Sequence, residues 1–172
     1  MINDYFVNKV ELDDQGYANI YVNKFLPYYN EKYLFNDLDR DNKEEALVYD
    51  ALKLIMESGK SLFGYKKDDI DVEIFNYRIF GQGQTFKGYH VDDYGNQGKM
   101  YTVLVYLNGG YDGGEIVFYE DENNFTSYKP KMGDLFYFSG EDAHSVNPVE
   151  SGKRALISMN LRTPPATTMI NC

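Results

Sequence analysis

From Asp41 to Gly59 apolar positions recur at helical spacing, with Leu47, Ala51, Leu54 and Ile55 sharing one face. Asp41 or Asn42 can accept from the free N–H groups of a first turn. Glu44 and Glu45 sit where the helix dipole favours negative charge, and Gly59 offers a C-terminal stop. The pattern predicts a helix over 41–59. Beyond it the texture changes. Segments 70–80, 100–108, 115–120, 134–139 and 153–162 are short, rich in β-branched and aromatic residues, and parted by Gly, Pro, Asn and Asp. Strands this close together imply an antiparallel sandwich or barrel, with the helix packed outside one sheet. The expected class is mainly β with supporting helices. Residues 1–40 mix aromatic and acidic positions without a clean period, and a short strand or two and a helical stretch are expected there.

No internal repeat, low-complexity tract or long linker interrupts this pattern. A single domain over 1–172 is expected, with 1–69 as an N-terminal support region and 70–163 as the core. Such a chain is long enough to bury a core without disulfides. Its single cysteine, Cys172, excludes an intramolecular disulfide and a cysteine-based metal site. Hydrophobic residues at 43% and charged residues at 26% fit a folded domain. The net charge of -10 disfavours binding to a phosphate backbone and suits neutral or basic partners. The start of the chain, Met1 to Asp14, lacks the basic and apolar regions of a signal peptide, and no run nears the roughly 18 apolar residues of a membrane span. A cytoplasmic location is expected, with no membrane partner. Nothing in the pattern specifies an oligomeric state.

The candidate chemistry starts from two histidines, His90 and His144. His90 belongs to His90-Val91-Asp92, and in an extended segment residues two apart leave the same face. Imidazole and carboxylate can then meet one ion from adjacent positions, with His144 as the other imidazole at hand. Two imidazoles and a carboxylate form the facial triad of non-haem iron(II) oxygenases, which leaves the opposite positions open. Taken alone, the tripeptide fits a hydrogen-bonded turn better than a metal site.

Arg154 follows His144 by ten positions, after Pro148, Val149 and Gly152. A turn at Ser151-Gly152 would return the chain antiparallel and carry Arg154 toward the metal. A buried guanidinium suits a carboxylate through a bidentate fork. A surface arginine, or one paired to a structural acid, is the alternative reading of that residue by itself.

Together these pieces carry a resemblance. From Phe75 to Arg162, about half of the chain, the sequence resembles the prolyl 4-hydroxylase-like branch of the 2-oxoglutarate/iron(II) oxygenase superfamily. The matching pieces are Gly83-Gln84-Thr85-Phe86 leading into His90-Val91-Asp92, then Thr102 to Asn108 and Gly113-Gly114-Glu115. Pro130 to Asp134 and His144 to Arg154 complete the series, in the family's order. The resemblance implies a double-stranded β-helix (a cupin-like jelly-roll barrel) and an Fe(II)- and 2-oxoglutarate-dependent dioxygenase, with ascorbate as an accessory. His90, Asp92 and His144 match the iron ligands and Arg154 the residue that binds the distal carboxylate of 2-oxoglutarate. Tyr106 matches a tyrosine that donates to the same carboxylate in hypoxia-sensing prolyl hydroxylases. Thr102, Leu104 and Tyr106 share a strand face, which suits a barrel-lining tyrosine, and core packing is its alternative role. Ser158, on the strand face of Arg154, is a further polar contact in the pocket. The presence of Asp92 favours hydroxylation, because halogenases of the superfamily leave that ligand position empty.

This chain departs from the pattern in two places. Phe80 stands where many members carry a cosubstrate tyrosine, and Tyr77 is the nearest substitute, although an offset of three residues reverses its strand face. One residue is inserted between Phe86 and His90. Gly113-Gly114 and Gly133-Asp134 are expected to be turn positions, and Lys153 to face solvent. The expected reaction is hydroxylation of a prolyl residue in a peptide or protein, with release of succinate and CO2. A small-molecule oxygenase, a nucleic-acid oxygenase (disfavoured by charge and arginine spacing) and a non-catalytic metal-binding barrel are the alternatives. Residues 1–60 and the loop 93–99 are expected to shape the substrate entrance.

Overall fold

A computed structural model describes residues 17–21, 41–64, 70–93 and 98–163. Its elements are β1 (Tyr17–Tyr21), α1 (Lys43–Leu62), β2 (Asp71–Phe80), β3 (Met100–Tyr106), β4 (Asp112–Gly113) and β5 (Ile116–Tyr119). The series continues with β6 (Phe125–Tyr128), β7 (Leu135–Ser139), β8 (His144–Val146), β9 (Val149–Ser151) and β10 (Arg154–Arg162). Five strands pair in the order β1-β2-β10-β3-β7, and opposite them lie β6-β5-β8 and the short pair β4-β9. Every pairing is antiparallel. The chain alternates between the two layers as a jelly roll does, which bears out the expected class.

Register sorts the strands into two faces. On β10 the residues Arg154, Leu156, Ser158 and Asn160 look between the layers, while Ala155, Ile157, Met159 and Leu161 look toward α1. Two apolar layers result. Val48 and Leu52 of α1 pack on Val72, Tyr77, Val103 and the outer face of β10. Phe80, Leu104, Tyr106, Ile116, Phe138, Val149 and Leu156 fill the space between the sheets.

The helix differs from expectation in two respects. Its buried stripe is Val48 and Leu52, with Ile55 half-buried, whereas Leu47 and Leu54 are exposed at 46% and 66%. The seam is thus rotated by about one residue from the predicted face, because the β-branched Val48 and not Leu47 meets the sheet. Asn42 caps the N-terminus, accepting from Glu44 N at 3.0 Å. Gly59 does not stop the helix, which runs on to Leu62. A Cβ at Gly59 would meet the methyl end of the flexible Met159 side chain, so the helix packs against β10 at this point. Among the described residues no helix is long and apolar enough to cross a membrane.

The five predicted strands correspond to β2, β3, β5, β7 and β10, each within two residues at either end. The β1 strand matches the expectation of a short strand in 1–40. The remainder of 1–40, Cys172 and residues 94–97 of the 93–99 loop lie outside the described residues.

Candidate active site

His90 reaches the interior through an isolated bridge to β8, in which His90 and His144 exchange backbone N–H···O bonds, both at 2.9 Å. The bridge sets the rings side by side, with centroids 4.3 Å apart. Each ring nitrogen Nδ1 lies against a carbonyl two residues earlier, Gly88 O for His90 at 2.7 Å and Asp142 O for His144 at 2.9 Å. A carbonyl only accepts, so in each neutral ring Nδ1 carries the proton and Nε2 presents its lone pair. Asp92 completes the group, with Oδ1 3.5 Å from His90 Nε2 and Oδ2 3.8 Å from His144 Nε2. One donor atom from each residue falls within 4.8 Å of the others.

Neighbouring side chains hold the carboxylate in this pose. Thr102 donates its hydroxyl to Asp92 Oδ2 at 2.6 Å and accepts from Asn160 Nδ2 at 3.1 Å. The backbone N–H groups of Asp92 and Asp93 both donate to Gly140 O at 2.9 Å. Asp93 turns away and pairs with Arg162 at 3.4 Å. The extra residue before His90 coincides with a kink: Lys87, at φ 38°, is the non-glycine residue with positive φ among those described.

Two observations bear on a metal. Burial pushes the His144 imidazole below its ordinary pKa, against the opposing effects of the Asp142 carbonyl and the Asp92 charge, and favours the neutral form that a metal requires. His90 Nε2 is buried without a hydrogen-bond partner. An orphaned lone pair aimed at a second imidazole and a carboxylate is what a divalent ion would satisfy. Two imidazole nitrogens and one carboxylate suit ferrous iron.

The cavity continues from Asp92, Thr102 and His144 along the inner faces of β2 and β10, past Arg78, Phe80, Ser158 and Asn160, to Arg154. Arg154 is 1% exposed, donates through Nη1 to Gly114 O at 3.1 Å, and lies 4.5 Å over the Phe80 ring. Gly114 sits at φ 68°, and a Cβ there would lie 3.2 Å from Arg154 Cδ and 3.3 Å from the Tyr111 ring. The second glycine of the Gly-Gly pair therefore makes room for the arginine. The Tyr106 hydroxyl is buried without a hydrogen-bond partner. Burial raises its pKa, with Arg154 acting in opposition, so it stays protonated and able to donate.

The expected residues thus separate. His90, Asp92 and His144 converge, Arg154 and Ser158 line the same cavity, and Tyr106 lies close enough to feel the Arg154 charge. Tyr77 is not brought to the site. It is fully buried in the layer beneath α1, because odd positions of this part of β2 face the helix while Asn76, Arg78 and Phe80 face inward. Phe80 holds the cavity wall as an aromatic surface without a hydroxyl. Lys153 is exposed, as expected.

Sequence reasoning does not single out Arg78 or Asn160, and it names Phe86 and Thr102 only within matching segments, without a role at the site. Arg78 lies 4.3 Å over the Phe86 ring, and Phe86 in turn stands edge-on to His90 at 5.5 Å.

The 2OG-Fe(II) oxygenase superfamily model matches residues 72–162, more than half of the chain. Over 65 residues the chain is 41% identical to prolyl 3-hydroxylase 2 of Homo sapiens, a stretch covering 36% of this chain and 9% of that relative. The chain therefore corresponds to only a small part of that protein. A prolyl hydroxylase from Trichoplax adhaerens, solved with a hypoxia inducible factor oxygen degradation domain peptide fragment, aligns at 25% identity and TM-score 0.52. The alignment covers 69% of this chain and 57% of that one. A viral collagen prolyl hydroxylase from Paramecium Bursaria Chlorella virus-1, in a 2OG complex, aligns at 21% identity and TM-score 0.54 over 66% of this chain and 73% of that one. It supports the fold.

Proposed function

Because this chain belongs to the 2OG-Fe(II) oxygenase superfamily, we propose that it is a dioxygenase that uses Fe(II) and 2-oxoglutarate to hydroxylate a prolyl residue in a peptide or protein, releasing succinate and CO2. The observation that carries the reading is the convergence of His90, Asp92 and His144 within 4.8 Å, in a cavity whose other end is closed by a buried arginine. The prolyl part draws support from the prolyl hydroxylases among its relatives.

The residues divide the work. His90 Nε2, His144 Nε2 and an Asp92 oxygen would hold the iron, which when bound supplies the activation of dioxygen that the oxidation needs. Gly88 O and Asp142 O keep both imidazoles in the Nε2-ligating tautomer, and Thr102 fixes the carboxylate. Arg154 offers a fixed cation, and Tyr106 a neutral hydroxyl, to the distal carboxylate of 2-oxoglutarate. Phe80, Leu104 and Leu156 give the cavity apolar walls that exclude bulk water.

The test is succinate release from the iron-loaded protein, with ascorbate present, on prolyl peptides, with mass spectrometry for the added oxygen. Asp92→Ala or His144→Ala should abolish coupled succinate formation. Near-wild-type turnover in either variant would remove the assignment. Hydroxylation of a small molecule in place of every peptide would keep the oxygenase and discard the prolyl substrate.

A further inference from the structure

An open groove follows the seam where the two layers of the jelly roll part, between β6 at the edge of one sheet and β7 at the edge of the other. Its floor is aromatic. Tyr128 meets Phe136 at 5.9 Å and Phe118 meets Phe138 at 4.9 Å, both edge-on, so two ring pairs bridge the seam. Phe138 also packs edge-on against the His144 ring at 4.8 Å. A single layer of rings therefore separates the groove from a metal-ligating side chain.

The charge around the groove has one sign. Glu120 and Asp142 line it, and no lysine or arginine does so among the described residues. Asp121, Glu122 and Glu141 are exposed in the same two turns, which lie side by side because Tyr119 N donates to Ala143 O at 2.9 Å. The whole chain carries a net charge of -10.

Flat ring pairs at the bottom of an open groove suit proline rings. A polyproline II segment is extended in advance, loses little entropy on docking, and is recognised on aromatic-lined grooves. Carboxylates at the rim favour lysine or arginine in the same segment and repel phosphates or acidic chains. We propose that this groove docks a basic, proline-containing stretch of the polypeptide substrate, beside the site where a neighbouring residue is oxidised. The proposal rests on the reading of the substrate as a polypeptide, and it names the chemistry of that polypeptide.

Binding is measured apart from turnover. A fluorescein-labelled peptide of repeating Lys-Pro-Pro triplets is titrated with the protein, and its anisotropy is compared with that of the Glu-Pro-Pro counterpart. The basic peptide should bind at least about tenfold more tightly and lose affinity with added salt. Glu120→Lys and Tyr128→Ser, both at exposed positions, should each weaken it by about fivefold or more, at unchanged far-ultraviolet circular dichroism. Equal affinity for the two peptides, or indifference to both substitutions, overturns the groove. Sedimentation showing self-association that Tyr128→Ser abolishes would assign the groove to a second copy of this chain, and likewise overturns it. Succinate release on a neutral prolyl peptide is recorded in parallel. Turnover there without groove-dependent binding refutes the groove alone, whereas groove-dependent binding without hydroxylation of any prolyl peptide leaves the groove standing and refutes the prolyl substrate.

Discussion

Thr102 Oγ1 stands 2.6 Å from Asp92 Oδ2 and commits its one proton to that carboxylate, since its other partner, Asn160 Nδ2, can only donate to it. Two strands of the sheet thereby hold a ligand that lies on neither. Thr102→Val keeps the shape and removes the donor. Metal affinity should fall about ten- to a hundredfold, the range for loss of a partner that orients a ligand. Titration with Co(II) followed by visible absorption measures it, and Thr102→Ser should recover most of the loss. Unchanged affinity in the valine variant would show that Asp92 is held by its backbone alone.

Tyr106 offers a cleaner separation of stability from function. Its hydroxyl is buried and makes no hydrogen bond. Tyr106→Phe therefore removes a polar group that contributes nothing to folding, and stability should stay level or rise by up to about 1 kcal/mol. The KM for 2-oxoglutarate should rise all the same. Urea unfolding and succinate kinetics on one preparation test both halves, and a destabilised variant with unchanged KM would make Tyr106 a packing residue.

The fold is largely legible because β-branched and aromatic runs broken by Gly, Pro and Asn mark strands wherever the partner lies. The helix face lies one position from the predicted one because Leu47 and Val48 compete for the seam, and only the sheet decides between them. The ligands could be read from His90-Val91-Asp92 and His144 because there are no other histidines. Arg78, Thr102 and Asn160 were harder. Their importance comes from register across β2, β10 and β3, where Arg78 faces Leu156 and Asn160 faces Thr102. A single strand does not reveal cross-strand pairs. The groove between β6 and β7 arises because these two successive strands end up at the edges of different sheets, and edge position leaves no local sign.

Gly114 and Arg154 should behave as one unit. Arg154→Ala removes a charge-assisted anchor, and the KM for 2-oxoglutarate should rise by at least about tenfold. Gly114→Ala leaves the arginine in the sequence but puts a methyl 3.2 Å from its Cδ, at a backbone φ of 68° that alanine adopts poorly. It should reproduce part of the same KM effect together with a loss of stability. The double variant should be no worse in KM than Arg154→Ala, since both act on one contact. Additive effects would mean that Gly114 serves the cavity by another route.

The last prediction concerns acid sensitivity without metal. Burial, working against the Asp142 carbonyl and the Asp92 charge, sets the His144 pKa below its ordinary value of 6.5. Unfolded chains take up this proton near 6.5, while the folded chain does so only at lower pH. Between those two values the unfolded state binds more protons, so stability falls as pH falls. Above about 6.5 the full contribution is present, and below the folded pKa the loss is complete and the curve levels for this group. Urea midpoints of the metal-free protein should therefore decline as pH falls below about 6.5, and His144→Gln should flatten that part of the slope whatever its starting stability. Saturating Co(II) should steepen the decline, because protons then compete with a bound ion for the same nitrogen. A glutamine variant whose midpoint falls as steeply as that of the wild type would place the titrating group elsewhere, and would mean that His144 is not held neutral by its burial beside Phe138.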